Sequence, residues 1–156
     1  MSGRKVLSLV VACVLGAIVL AACGPTGTSS GGSGSPSQAI TVKGNEFKFE
    51  PNQLTFKAQA PVSLTFQNTG TVDHELDLTA MPAKSVTVDL SKAGNIPADM
   101  KNTVQSDAQA GKVFAYAAAG GQTTVTFTPT QAGSYSFACN LPGHKEGGMV
   151  GTAVVQ

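Results

Sequence analysis

From residue 40 onward the chain alternates apolar and polar positions in short runs. Ile40-Thr41-Val42 comes first, then Phe47-Lys48-Phe49-Glu50 stopped by Pro51, then Leu54-Thr55-Phe56-Lys57. Val62-Ser63-Leu64-Thr65-Phe66-Gln67 is the cleanest run; Asn68-Thr69-Gly70 turns the chain, and Val72 to Leu78 resumes it. The rhythm returns in TTVTFT (123–128), SYSFAC (134–139) and MVGTAVV (149–155), with Pro129 to Gly133 as a turn. Period-two alternation bounded by Gly, Pro and Asn predicts half-buried strands. Short strands at this spacing, mostly antiparallel, predict an all-β Greek-key sandwich.

The rhythm breaks between about residues 80 and 119. Pro97-Ala98-Asp99-Met100-Lys101 predicts a short helix with Pro97 at its first helical position, and Gly111 is placed to end it. Val86 to Leu90 fits a further strand. This segment is expected to be a partly helical insertion packed against the sandwich.

Composition agrees with a small, weakly charged head. Charged residues make up 12% of the chain and tryptophan is absent, so the core falls to seven Phe, two Tyr and the aliphatics. The N-terminus is different in kind. Arg4 and Lys5 precede an apolar run from Val6 to about Leu20, which ends in Leu20-Ala21-Ala22-Cys23. That order reads as a secretory signal over residues 1–22 and is short for a membrane span. Leu-Ala-Ala-Cys resembles the bacterial lipoprotein box, which implies a lipid on Cys23 and an extracytoplasmic, membrane-anchored location. Residues 23–38, almost all Gly, Ser, Thr and Pro, would form a flexible tether reaching roughly 20 Å. Residues 39–156 would be the single folded domain. Loss of Arg4 and Lys5 takes the net charge from +1 to −1 and removes the sole arginine. Nucleic acid is therefore not an expected partner.

Cysteine usage then raises the central question. Cys13 lies in the signal and Cys23 carries the predicted lipid, so Cys139 is left without a mate in an oxidising compartment. It stands in CNLPGHKEGGM (139–149), with four residues between it and His144 and four more between His144 and Met149. Cys139 ends one predicted strand and Met149 opens the next, so the loop gathers all three at one end of the sandwich. The other histidine, His74, lies 65 residues upstream of Cys139, near the start of its own strand. Two imidazoles and a thiolate in a plane, with a weak axial thioether, form a blue-copper electron-transfer site. Thiolate and thioether favour Cu(I), whereas imidazole suits either oxidation state.

At these residues the chain resembles the cupredoxins, the type 1 blue copper proteins. Their pattern is an upstream histidine, then Cys, His and Met on the loop before the last strand. The loop spacing is similar to that of auracyanins rather than plastocyanins, and the inserted segment is similar in position to the flap of azurin-like members. The resemblance covers roughly Ile40 to Gln156 and implies one copper ion held by His74, Cys139, His144 and Met149. It also implies transient docking of a redox partner near His144, where Leu141 and Pro142 contribute to an apolar patch. Two positions depart from the pattern. Many members carry Asn after the first ligand histidine, where it ties the two ligand loops together; Glu75 stands here. Azurins carry Gly before that histidine; Asp73 stands here, so four ligands are expected rather than five.

The expected role is single-electron transport by a monomeric, membrane-tethered carrier without enzyme activity. The alternative is a copper chaperone or storage lipoprotein. Such sites tend to be open and rich in Met or His, and this chain has no spare histidine and no methionine cluster. A metal-free adhesion or scaffold lipoprotein would leave the Cys–His–Met spacing a coincidence.

Overall fold

The structure, a computed structural model, describes Pro36 and residues 38–156. The predicted signal, Cys23 and all of the predicted tether except Pro36 and Gln38 lie outside the described residues. In chain order the elements are β1 (Gln38–Asn45), β2 (Lys48–Glu50), β3 (Gln53–Phe56), β4 (Val62–Asn68), β5 (His74–Asp77) and β6 (Ala83–Asp89). They continue with α1 (Ala98–Gln109), β7 (Phe114–Ala117), β8 (Gln122–Pro129), β9 (Gly133–Ala138) and β10 (Val150–Val155). Among the described residues no helix is long and apolar enough to cross a membrane.

Strand β4 shows how the alternation becomes a core. Val62, Leu64, Phe66 and Asn68 are buried, while Ser63, Thr65 and Gln67 between them are half-buried. A one-residue slip would exchange the two sets, so the pattern fixes the register. β4 runs parallel to β1 and antiparallel to β8, in a sheet of order β2-β1-β4-β8-β6. The second sheet has the order β3-β10-β9-β5-β7. The chain changes sheet at almost every connection; only the β1–β2 and β9–β10 hairpins stay within one. This is the predicted all-β sandwich.

Phenylalanine supplies the bulk between the sheets. Phe49 meets Phe66 and Phe137 at ring-centroid distances of 6.1 and 5.0 Å, and Phe56 meets Phe127 edge-on at 5.5 Å. Burying each such side chain stabilises the fold by about 1.5–3 kcal/mol.

The predicted insertion is partly helical, and its ends join the sheets. β6 forms the edge of one sheet and β7 the edge of the other, so only the segment between them stands outside the sandwich. Helix α1 is longer than the few residues expected around Pro97. Pro97, expected at the first helical position, stands one residue before it; its extended ψ of 145° keeps it outside the helix while its carbonyl accepts the Lys101 N–H at 2.9 Å. Gly111 follows the C-terminus with φ +75°, the left-handed geometry glycine favours. Val104 is the helix's one fully buried residue, packed with Phe114 and Tyr116 of β7 in a small second core. Leu141, from the loop between β9 and β10, packs against both this cluster and the main core.

Candidate metal centre

Three of the four predicted ligands converge. His74 is the first residue of β5, paired with Ala117 of β7, and is fully buried. Cys139 directly follows β9, is fully buried, and donates its backbone N–H to the Met149 carbonyl at 3.1 Å. His144 lies in the intervening loop and is half-buried. His74 Nδ1 and His144 Nδ1 are 3.1 Å apart, and Cys139 Sγ is 3.2 Å from the same His144 nitrogen. The ligand atoms of all three residues lie within 4.8 Å of one another.

The loop owes its course to its own hydrogen bonds. The N–H of His144 donates to the Leu141 carbonyl, that of Gly147 to Gly143, and that of Met149 to His144, each at 3.0 Å. Gly143 (φ +81°) and Gly148 (φ +103°) occupy left-handed positions that a side chain would strain. The coil brings His144 back over Cys139 and delivers Met149, fully buried, to the start of β10. On the inner side, a Cβ on Gly44 would lie 2.8 Å from the Phe66 ring and 3.1 Å from Met149 Cε. Glycine there leaves room for the methionine.

The donors suit a soft or borderline ion. Two nitrogens each about 2.0 Å from a common ion stand roughly 3 Å apart, which matches the Nδ1–Nδ1 separation. Burial holds the His74 pKa below its ordinary value, aided by the charge of His144, so its imidazole stays neutral with a lone pair to give. Burial pushes the Cys139 thiol up, against the backbone N–H groups of Glu75 and Leu141, which favour the thiolate. A bound cation adds the charge that deprotonates such a thiol. Among the described residues, His74 Nε2 is buried without a hydrogen-bond partner.

Glu75 supplies the tie between ligand loops. Its Oε1 accepts the Asn140 N–H at 2.8 Å, and its own N–H donates to Cys139 Sγ at 3.4 Å. One residue thus joins the strand of His74 to the segment carrying Cys139. Burial raises the Glu75 pKa, while the bond from Asn140 opposes that rise. Asn140 is further held by donating through Nδ2 to Asp77 Oδ2 at 2.7 Å. Asp73 is occupied elsewhere: its Oδ2 accepts the Tyr116 hydroxyl at 2.7 Å. Burial, and then Asp73, push the Tyr116 hydroxyl well above its ordinary pKa.

The pattern of the chain gave Asn68 only a turn, yet it shapes the approach to His74. Its Nδ2 donates to the carbonyls of Val72 (2.7 Å) and Ala117 (2.9 Å), and its Oδ1 accepts from Gly70 N–H at 3.0 Å. Its buried place in the alternation of β4 was the available signal. The β1–β2 turn also reaches the site, with Phe47 edge-on to His144 at a centroid distance of 4.9 Å. Nothing in the sequence pattern singles that residue out.

A buried thiol between two imidazoles, at one end of a two-sheet sandwich, defines a cupredoxin whose cofactor is copper. The chain belongs to the copper binding proteins of the plastocyanin/azurin family, which it matches over residues 36–156. It is 33% identical to auracyanin-A of Chloroflexus aurantiacus over 143 residues, covering 82% of this chain and 83% of that protein. It is 31% identical to the copper-resistant cuproprotein CopI of Rubrivivax gelatinosus over 115 residues, covering 74% of this chain and 64% of that protein. Among solved structures, auracyanin B superposes with a TM-score of 0.53 at 25% identity, covering 79% of this chain and 91% of that one.

Proposed function

We propose that this protein is a membrane-tethered carrier of single electrons, with His74, Cys139, His144 and Met149 as the ligands of one blue-copper ion. The observation that carries the reading is a donor set with Cys139 and His74 fully buried and His144 half-buried. Bound copper supplies the one-electron Cu(I)/Cu(II) couple. His74 offers a neutral imidazole from a strand, and Cys139 is braced by the N–H of Glu75. These fixed positions keep the donors in place between oxidation states. Four protein ligands leave no open coordination position for a substrate, so the role is that of a carrier rather than an enzyme.

His144 is the route for the electron, since it alone of the three clustered donors reaches the surface. A redox partner docks briefly around it, with exposed Pro142 and half-buried Leu141 in the contact. With so little net charge, apolar contact rather than long-range steering governs that encounter. The lipid on Cys23 holds the head on the extracytoplasmic face of the membrane. Auracyanin-A and auracyanin B support the carrier reading. CopI supports a second one, in which the site hands copper on or stores it.

Repeated reduction and reoxidation of the copper-loaded protein beside a Cu(I) chelator separates the two readings. A carrier keeps its copper through many cycles. Loss of the metal to the chelator during the first reduction sinks the carrier reading and favours delivery. The anchor is tested separately: the full chain expressed in a bacterium partitions into a detergent phase, and Cys23→Ser moves it to the aqueous phase. An unchanged partition contradicts the tether.

A further inference from the structure

Glu46 and Phe47, the two residues between β1 and β2, touch both ligand-bearing loops from outside. Glu46 Oε1 accepts the backbone N–H of Thr71 and its hydroxyl, the latter at 3.0 Å, on the loop that leads to His74. A Cβ on neighbouring Gly70 would lie 2.5 Å from the same carboxylate oxygen, so glycine clears the seat for it. Phe47 packs on the other loop, with its ring 62° from the plane of His144. A Cβ on Gly147 would stand 3.0 Å from Phe47 Cγ, so a second glycine clears the seat for the aromatic side chain.

His144 needs such support. Cys139 is held by the N–H of Glu75, and His74 lies within a strand. The ring contacts of His144 are with His74 on the inside and Phe47 on the outside. Phe47 remains 41% exposed, so little of the fold's core depends on it.

We propose that the Glu46–Phe47 turn is a clasp: Glu46 anchors it to the His74 loop, and Phe47 holds the His144 ring, restraining copper from leaving past that ligand. Phe47 is on this account a positioning residue, and the inference rests on His144 being a copper ligand.

The test compares full-length wild type with Phe47→Ala, Phe47→Leu, Glu46→Ala and Gly147→Ala. Each is loaded with copper, reduced with ascorbate and mixed with bathocuproine disulfonate, and the transfer of Cu(I) is timed. Phe47→Ala is expected to release copper about three- to ten-fold faster, the scale of one edge-to-face ring contact. Phe47→Leu should recover part of the loss. Glu46→Ala and Gly147→Ala should move the rate in the same direction, with thermal stability little changed. A readout without metal accompanies it: amide hydrogen exchange of His144 to Gly148 in the copper-free protein should quicken in Phe47→Ala. Equal release rates and equal exchange in wild type and Phe47→Ala overturn the clasp while leaving the ligand assignment standing. A wild type that binds no copper overturns the ligand assignment beneath it.

Discussion

The two sides of the metal centre are built differently. On the inner side, His74 and Cys139 sit in or beside paired strands, sealed from solvent and joined through Glu75 and Asn140. On the outer side, His144 rides on a glycine-containing coil and is half-buried beneath an exposed aromatic ring. Strand pairing ties the inner donors to the cooperative unfolding of the whole sandwich, whereas a loop opens locally at lower cost. A sealed thiol and a partly open imidazole are thus assigned to separate elements of one site.

The largest disturbance of that contrast comes from below the inner side. Phe66→Ala should cost about 3–5 kcal/mol, read by urea denaturation, because a fully buried ring beside the methionine is replaced by a void. A loss below about 1 kcal/mol would mean that the floor of the site carries little of the core. Gly44→Ala presses on the same floor from the opposite direction. Its Cβ would meet the Phe66 ring at 2.8 Å and Met149 Cε at 3.1 Å, so overpacking of about 1–3 kcal/mol is expected. The same variant should shift the copper spectrum through Met149, and an unchanged spectrum would place the thioether away from the metal.

Glu75 offers a finer probe of the brace. Glu75→Leu leaves the Asn140 N–H without its acceptor and should destabilise the copper-free protein by about 1–3 kcal/mol. Glu75→Gln keeps an acceptor oxygen and should cost clearly less. Equal losses from both would show that the hydrogen bond to Asn140 is not what matters at this position.

The smallest effect belongs to the outer side. The Thr71 backbone N–H first, then the backbone N–H of Glu46 itself and the Thr71 side chain, hold the Glu46 carboxylate down at about 2, from an ordinary 4.5. A carboxyl with a depressed folded pKa contributes stability above the unfolded value and loses it as the pH falls through the folded one. The Glu46–Thr71 contact should therefore persist below pH 4.5 and open near pH 2. The Thr71 amide proton, followed by NMR, should report that midpoint, and Glu46→Gln should abolish the titration. A midpoint near 4.5 would mean that the carboxylate is free in solution.

Much of this was legible in the chain because it follows from periodicity and residue chemistry. The alternation of Val62 to Gln67 gives β4 and its buried face, and the Cys139–His144–Met149 spacing gives the loop that carries them. His74 was recoverable because it is the other histidine of the chain. The tether between ligand loops was not legible, since a glutamate next to a ligand has many possible partners until β5 and the Cys139 segment are seen side by side. Glu46 and Phe47 were hidden for a similar reason. Their roles depend on vacancies at Gly70 and Gly147, which are far apart in sequence and come up against the same turn only in the folded chain. Tyr116 and Asp73 likewise share a bond across 43 residues that no local pattern announces.

The central claim is that Cys139, as a thiolate between His74 and His144, is the heart of a copper site. The most direct test is the visible spectrum of the purified protein titrated with Cu(II), beside Cys139→Ser handled identically. The account predicts an intense blue or green thiolate-to-copper band that saturates at one copper per chain and is missing from the variant. A folded wild type without that band, or a band that survives in Cys139→Ser, would contradict it.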